Sequence, residues 1–473
     1  MQEVSKQPVS KTKLFGGLAG IAAAFLIYLL PLDLEPMAKV TLALTAWLII
    51  WLIARPIDSG YTGLIYIVLQ LLLRFPPPAV FTWFTISAGW FQMASFVIAA
   101  VMVRSGIAKR MAYTLMYKLK ANTVPRFMFA SVIVVLLMII LIPSPTALIA
   151  IMIPLMVYVA EAWNLPARSE VKKGVAALAL PTFFLIILAG NAGTWIRTGF
   201  SLNLVTMALS GVDIPWMEWF LHAAPIVWLF GFLTVILLVA VFRPAKDIIA
   251  HQDTLRTKYE ELGPVTKTEK SVLLIMLVVL ILWITESRHG ISTGWVALAA
   301  VCVFAVPQLR LFKNFDDVVA TINWPIMFFI TALFAMVNAM NSTGASQWIA
   351  QALSILKPAT EFGYYVTSSL VGTFVTSVLG TNFVQGVITP IFTGWGQELG
   401  ITAAKSMLAI WIPTVLGGNL LPTLLPSVLF AWTFRYKDEK LFTFADGFKI
   451  TLVAFAAYYI VALLIQLTYW KLF

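Results

Sequence analysis

An all-α polytopic membrane protein is the fold class this sequence predicts, and three observations predict it. The chain is 60% hydrophobic and only 11% charged over 473 residues, with mean hydropathy +0.91, whereas a soluble domain carries roughly 25% charged residues. Apolar stretches long enough to span a bilayer, or to span it when broken, follow one another from end to end. The two halves of the chain also repeat one order of elements.

The opening "MQEVSKQPVSKTKLFGG" is basic, and no small-residue cleavage site follows its apolar run, so it predicts a cytoplasmic N-terminus leading into the first span. Spans are expected at 14–31, 37–53, 61–73 and 89–103. From Arg104 to Lys120, "RSGIAKRMAYTLMYKLK" places Ile107, Met111, Leu115 and Leu119 on one helical stripe with Lys109, Arg110 and Lys118 off it, the pattern of an amphipathic interfacial helix. Two apolar halves, 124–142 and 147–160, flank the tip Pro143-Ser144-Pro145-Thr146. The segment 174–209 is interrupted at "AGNAGTWIRTGFSLN", a plain span follows at 221–242, and the polar stretch 243–270 separates the halves.

After it, spans are expected near 271–286, 293–306 and 325–340, and a second amphipathic helix at 345–356. A second pair of short halves flanks "LGTNFVQG", the segment 404–432 is interrupted by "GGNLLPTLLPS", and a last span covers 448–470. The single cysteine, Cys302, excludes an intramolecular disulfide and reads as a small core residue.

The halves can be laid on one another. "SGIAKRMAYTL" from Ser105 resembles "TGASQWIAQAL" from Thr343, and "IMIPLM" from Ile151 resembles "VITPIF" from Val387, which sets Ser144-Pro145-Thr146 against Gly380-Thr381-Asn382. "LPT" at 180–182 answers "IPT" at 412–414, and Gly190-Asn191 answers Gly418-Asn419. The matches keep one order at offsets of 228 to 238, as a duplication requires. Between 104 and 126 the first unit carries Lys or Arg at 104, 109, 110, 118, 120 and 126, while 341–361 carries only Lys357. Positive residues mark the cytoplasmic side, so the repeats are predicted to be inverted. The expected topology is eleven transmembrane helices with two re-entrant hairpins, N-terminus inside and C-terminus outside.

A helix broken in hydrocarbon leaves N–H and C=O groups that survive only where protein, water or ligand satisfies them. This chain has four such breaks, at 143–146, 190–203, 379–384 and 417–427. Inverted repeats with paired broken helices point to a secondary transporter whose site lies near the midplane. Half-helix N-termini suit an anion, and unwound carbonyls and hydroxyls suit Na⁺. The candidate site residues are therefore Ser144, Pro145, Thr146, Thr381 and Asn382 at the tips, with Asn191, Thr194, Arg197, Thr198, Ser201, Asn203, Asn419, Thr423 and Ser427 in the broken helices. Ser and Thr in membrane helices commonly bond back to their own helix, but their clustering at matched breaks favours a ligand role. Arg197 stands out, because a charge inside a span costs at least ~2.5 to 3.5 kcal/mol and is a functional hypothesis by default. It is expected to pair with a substrate carboxylate or to fill the space of a bound cation.

Other classes fit less well. The net charge of +11 is dispersed between apolar segments rather than gathered for nucleic acid. No His/Asp/Glu grouping suggests an enzyme: Glu161, Glu218 and Glu286 lie at helix ends, His222 near a helix start, and His251 and His289 in loops. An anion channel also fits the hairpins, and a carrier of another oxyanion or of a sulfonate fits the same hydroxyls and N–H groups.

The order of amphipathic "SGIAKRMA", hairpin, broken helix and inverted repeat resembles the divalent anion:sodium symporter family of di- and tricarboxylate carriers, over nearly the whole chain. Family hairpin tips carry Ser-Asn-Thr, often within "IPSNTA", and the first tip here reads "IPSPTA"; a Gly-Thr-Pro-Pro-Asn type sequence is answered by "RTGFS" at 197–201 and more loosely by "LLPSV" at 424–428. The resemblance implies a homodimeric elevator transporter in the cytoplasmic membrane. Its scaffold would comprise 1–123 and 243–361, and its mobile part 124–242 and 362–473. It implies substrate contacts at Ser144, Thr146, Thr198, Thr381, Asn382 and Pro426. It also implies sodium sites at Ser144 with the backbone near 197, and at Thr376 and Thr381 with the backbone near 424; no other cofactor is implied. Two departures bear on coupling. Pro145 replaces an Asn and lacks both an acceptor side chain and an N–H, and Arg197 replaces a Gly beside the first sodium site, where a guanidinium would repel Na⁺. The first sodium site is therefore expected to be lost or altered, which leaves Na⁺ symport and anion exchange both open.

Overall fold

The computed structural model of the chain describes residues 11–162, 179–243, 253–418, 435–436, 439–440 and 444–472. In chain order its helices begin with α1 (Lys11–Leu29), α2 (Pro36–Ala54), α3 (Ser59–Leu72), the one-turn α4 (Pro77–Val80) and α5 (Thr82–Thr85), α6 (Ser87–Arg104), α7 (Ile107–Lys118), α8 (Val124–Leu141) and α9 (Pro145–Ala162). There follow α10 (Ala179–Ala192), α11 (Ser201–Ser210), α12 (Trp216–Phe242), α13 (Asp253–Glu260), α14 (Lys267–Ile284), α15 (Glu286–His289), α16 (Thr293–Phe304) and α17 (Phe315–Val319). The last are α18 (Trp324–Thr343), α19 (Ala345–Ala352), α20 (Glu361–Leu379), α21 (Thr381–Phe383), α22 (Thr389–Glu398), α23 (Ala403–Gly417) and α24 (Phe444–Leu467). A π-helical turn, Val384–Ile388, joins α21 to α22, and Arg435–Tyr436 pairs antiparallel with Glu439–Lys440. Among the described residues seven helices are long and apolar enough to cross a membrane, including α8 and α20, which lead into the two hairpin tips.

Local chemistry sets the boundaries. Both helices that lead into a tip begin at a threonine N-cap: Thr123 accepts from the Arg126 amide at 3.3 Å, and Thr360 from the Gly363 amide at 3.0 Å. Thr266 and Glu269 form a reciprocal capping box at the start of α14. Gly106 and Gly344, which open α7 and α19, sit at φ +87° and +83°, a left-handed conformation in which a Cβ is penalised. The matched Ser-Gly and Thr-Gly of the sequence thus make the same sharp entry from a long helix into a short amphipathic one.

Packing divides the chain into two compact units, Met1–Gly89 with Asn323–Lys357 and Trp90–Ile322 with Pro358–Phe473. In the first, α1 packs on α2 and α18 lies against α2 and α3. Asn338 of α18 donates to the Ala79 carbonyl and to Thr82 Oγ1 at 2.7 and 2.9 Å, and Trp83 stacks on Phe334 at 5.1 Å, which anchors α4 and α5.

The second unit holds both hairpins. The pair α8 and α9 packs with α10, α20 packs closely on α23, and α12 packs on α24. Arg110 of α7 donates to Glu269 at 2.7 Å and to the carbonyls of Leu262, Gly263 and Pro264, while Tyr117 stacks on Tyr259 of α13 at 4.9 Å. These contacts hold the polar connector before α14 against the amphipathic helix.

The buried stripe of α7 is Ile107, Ala108, Ala112 and Met116, with Met111 and Leu115 half-buried and Leu119 exposed. Ala108 and Ala112 face protein with Ile107 and Met116 and permit close approach, while Leu119 turns outward. One expectation from the sequence, a core position for Cys302, needs correction. Cys302 on α16 is exposed rather than core, because in a lipid-facing helix an apolar side chain has no need to turn inward.

Candidate functional site

The break between α10 and α11, residues 193–200, is buried over 193–199, and several of its carbonyls are matched by donors from within the chain. The Asn191 carbonyl accepts from the Thr194 amide and from Thr194 Oγ1 at 3.0 and 2.7 Å. The Thr194 carbonyl accepts from Trp219 Nε1 at 2.8 Å. Asn203, on the first turn of α11, donates from Nδ2 to the carbonyls of Gly193, Ile196 and Arg197 at 2.8, 3.0 and 3.3 Å. Trp216 Nε1 donates to Thr198 Oγ1 at 3.2 Å. Each unmatched group here would cost about 1–3 kcal/mol, so these side chains are what permits a helix to unwind inside an apolar segment.

Arg197 is tied down by two carboxylates. Its side chain is 7% exposed and makes ion pairs with Glu286 at 2.8 Å and Asp213 at 3.0 Å, whose side chains are 14% and 83% exposed. Glu286 accepts through its second oxygen from the Thr293 amide at 3.2 Å, which ties the pair to the start of α16. Arg197 Nε is buried and has no partner among the described residues. Glu286, a helix-end acid by sequence, is the principal counter-charge.

The first tip is a short non-helical link from Ile142 to Ser144. Ser144 caps α9, with its Oγ accepting from the Ala147 amide at 3.3 Å, and Pro145 takes the first helical position, where an N–H is dispensable. Pro145 is buried, Ser144 half-buried and Thr146 exposed. The second tip turns at Gly380, φ 86° and ψ 156°, a region open essentially to glycine alone. Thr376 before the turn and Thr381 after it are buried, and neither hydroxyl has a partner among the described residues.

The return leg of that hairpin reaches α11. Gln385, in the π-helical turn, donates from Nε2 to the Leu202 carbonyl and to Thr206 Oγ1 at 2.8 and 2.7 Å, which leaves its Oε1 buried and unpartnered. Trp411 on α23 donates to Asn203 Oδ1 at 2.8 Å. The structure thus brings Thr381, Gln385, Asn203 and the 193–200 break into one connected region of the second unit.

The other residues singled out by sequence sit as follows. Asn191 is buried and bonds back to the Ile187 carbonyl at 2.8 Å, as Thr194 does to Asn191. Thr198 and Ser201 are buried at the break. Asn382 opens the return leg beside Thr381. Asn419, Thr423, Pro426 and Ser427 lie outside the described residues. Sequence reasoning missed Asp213, Trp216, Trp219, Glu286, Gln385 and Trp411. For Glu286 a signal existed, since a buried arginine demands a carboxylate; the tryptophans near span ends read equally well as interfacial aromatics.

Helices that turn back at hairpin tips, beside a helix unwound in mid-segment, are the architecture of a multi-pass membrane transporter. The chain belongs to the family described as "sodium:sulfate symporter transmembrane region", which it matches over residues 11–473. A sodium-dependent dicarboxylate transporter, SdcS, of Staphylococcus saprophyticus is 23% identical over 447 residues, covering 88% of this chain and 84% of that protein. Its Staphylococcus aureus counterpart is 24% identical over 443 residues, covering 88% and 83%. A protein of Cupriavidus necator named only as a membrane protein is 23% identical over 394 residues, covering 80% and 73%. Among solved structures, the Alcanivorax borkumensis YdaH transporter shares the fold, with a TM-score of 0.50 and 14% identity over 96% of each chain.

Proposed function

We propose that this protein is a secondary active transporter of small divalent organic anions, dicarboxylates such as succinate and malate or tricarboxylates such as citrate, working by an elevator mechanism in the cytoplasmic membrane. The observation that carries the reading is the second hairpin tip, where the buried hydroxyls of Thr376 and Thr381 flank a glycine turn at a helix N-terminus and have no partner among the described residues. A bound ligand would satisfy both hydroxyls, and hydroxyls beside a helix N-terminus suit a carboxylate or a coordinated Na⁺. The names of the staphylococcal relatives support a dicarboxylate and Na⁺. The family description supports sulfate as the second reading.

In this reading the substrate meets Ser144, Pro145, Thr146, Thr198, Ser201, Thr381, Asn382, Asn419, Pro426 and Ser427, and the sodium ion of the second repeat meets Thr376 and Thr381. The chain forms eleven spans and two re-entrant hairpins as inverted repeats, divided into scaffold (1–123, 243–361) and mobile parts (124–242, 362–473), N-terminus inside, and acts as a homodimer. Arg197, already neutralised by Glu286 and Asp213, serves as a fixed cation in the first repeat rather than as a substrate ligand.

The test is counterflow in proteoliposomes with a panel of di- and tricarboxylates, sulfate and sulfonates, with and without Na⁺. Saturable uptake accelerated by dicarboxylate on the opposite side is expected. Flux that neither saturates nor responds to trans substrate would make the protein a channel instead.

A further inference from the structure

Three carbonyl oxygens of the unwound segment converge on one nitrogen. Asn203 Nδ2 lies 2.8, 3.0 and 3.3 Å from the oxygens of Gly193, Ile196 and Arg197. A cluster of unwound carbonyls is an arrangement that holds a small cation in carriers of this general architecture. Here an amide occupies its centre.

The amide is not free to turn. Trp411 Nε1 can only donate, and it lies 2.8 Å from Oδ1. The carbonyls can only accept, so they face the NH₂ end. Both neighbours therefore assign the same orientation, and Asn203 and Trp411 are each 0% exposed. The residue that contributes the third carbonyl, Arg197, also carries a buried guanidinium, whose charge is balanced by Glu286 and Asp213.

We propose that the Asn203 amide is a built-in substitute for a coupling cation. Its two N–H groups direct positive potential at the three oxygens an ion would otherwise draw together, so the first break keeps its shape with no ion bound. The proposal rests on the carrier reading and deepens it, since ion coupling is then confined to the second repeat. Trp411, on α23, acts as a positioning residue that holds the amide in its cation-like orientation. The sequence change that restores an ion is correspondingly small. Asn203→Asp sets an anionic oxygen against three carbonyl oxygens, a cage that only a cation can reconcile.

The experiment is a Na⁺ titration of the thermal unfolding midpoint of the purified full-length protein, with choline holding ionic strength constant. Relative to wild type, Asn203→Asp is expected to gain an added saturable rise of about 5 °C between roughly 1 and 100 mM Na⁺. Should Asn203→Asp fail to fold in either salt, Asn203→Ala decides. It vacates the carbonyl cluster and is expected to gain a Na⁺ response of the same kind. Unchanged, wild-type-like Na⁺ curves in the variants that fold would overturn the proposal. So would loss in Asn203→Ala of a Na⁺ response that wild type possesses, because the amide would then be a ligand of an ion and not its replacement. The readout uses no substrate, so a gained Na⁺ response in a protein that moves none of the anions tested would sink the carrier reading and leave this inference standing.

Discussion

Removing the charge of Glu286 tests the electrostatics of the first break most directly. Glu286→Gln keeps the shape of the side chain and the oxygen that meets the Thr293 amide, and deletes only the negative charge beside Arg197. With charge centres about 4 Å apart and an effective dielectric of about 20, the lost attraction is about 4 kcal/mol. Relief of the carboxylate's own desolvation offsets part of that attraction, and about 3 kcal/mol is what breaking a buried pair costs. Asp213 makes the companion bond at 3.0 Å but is 83% exposed, so solvent screens it and Asp213→Asn should cost below about 1 kcal/mol. At roughly 2–4 °C per kcal/mol, Glu286→Gln should lower the thermal midpoint by about 6–12 °C and Asp213→Asn by no more than about 4 °C. In an Arg197→Leu background the cost of Glu286→Gln should nearly vanish, because no cation is left to orphan. Equal shifts for the two carboxylates, or a Glu286→Gln cost that survives in the Leu background, would refute the reasoning.

Thr376→Val and Thr381→Val should leave the thermal midpoint almost unchanged, since neither hydroxyl has a partner among the described residues, yet raise KM for the anion or the half-saturating Na⁺ concentration about tenfold in proteoliposomes. Gly380→Ala forces a Cβ into φ 86°, ψ 156°, which should cost about 1–3 kcal/mol and lower the midpoint accordingly. Bidentate hydrogen bonds from Arg104, joined by the Lys313 amide, hold the Asp317 carboxyl below the usual carboxylate range. A depressed carboxyl stabilises the fold above its unfolded pKa of about 3.9 and loses that contribution as pH falls through the lower folded value. The gap in midpoint between wild type and Asp317→Asn should therefore be present at neutral pH and close in acid below the folded value; a gap that persists there would show that the ion pair is not its source.

Much of the fold is legible in the sequence because its boundaries are local. Threonine N-caps start α8 and α20, glycine forces the entries to α7 and α19, and the apolar runs between them have few alternatives in a bilayer. The face of α7 is less legible, since hydrophobicity alone ranks Leu above Ala while packing between membrane helices favours Ala. The candidate site divides the same way. Ser144, Thr381, Arg197 and Asn203 can be picked out because polar residues at a break in an apolar run are conspicuous one by one.

Their partners are not conspicuous. Glu286 lies 89 residues from Arg197 and Trp411 lies 208 from Asn203, and nothing local to either member specifies such a pairing. Tryptophan is doubly hidden, because the indole that satisfies the Thr194 carbonyl looks in sequence like any interfacial aromatic. What connects the two levels is an obligation rather than a pattern. An unwound stretch in hydrocarbon must find one donor for each exposed carbonyl, and a buried arginine must find a carboxylate. Applied to residues 193–200, those obligations call for donors at the break and an acid near Arg197. The structure supplies them from Asn203, Trp219 and Glu286. These donors belong to the chain itself, whereas at the second hairpin the Thr376 and Thr381 hydroxyls have no partner among the described residues, which is why the proposed ligand is placed there.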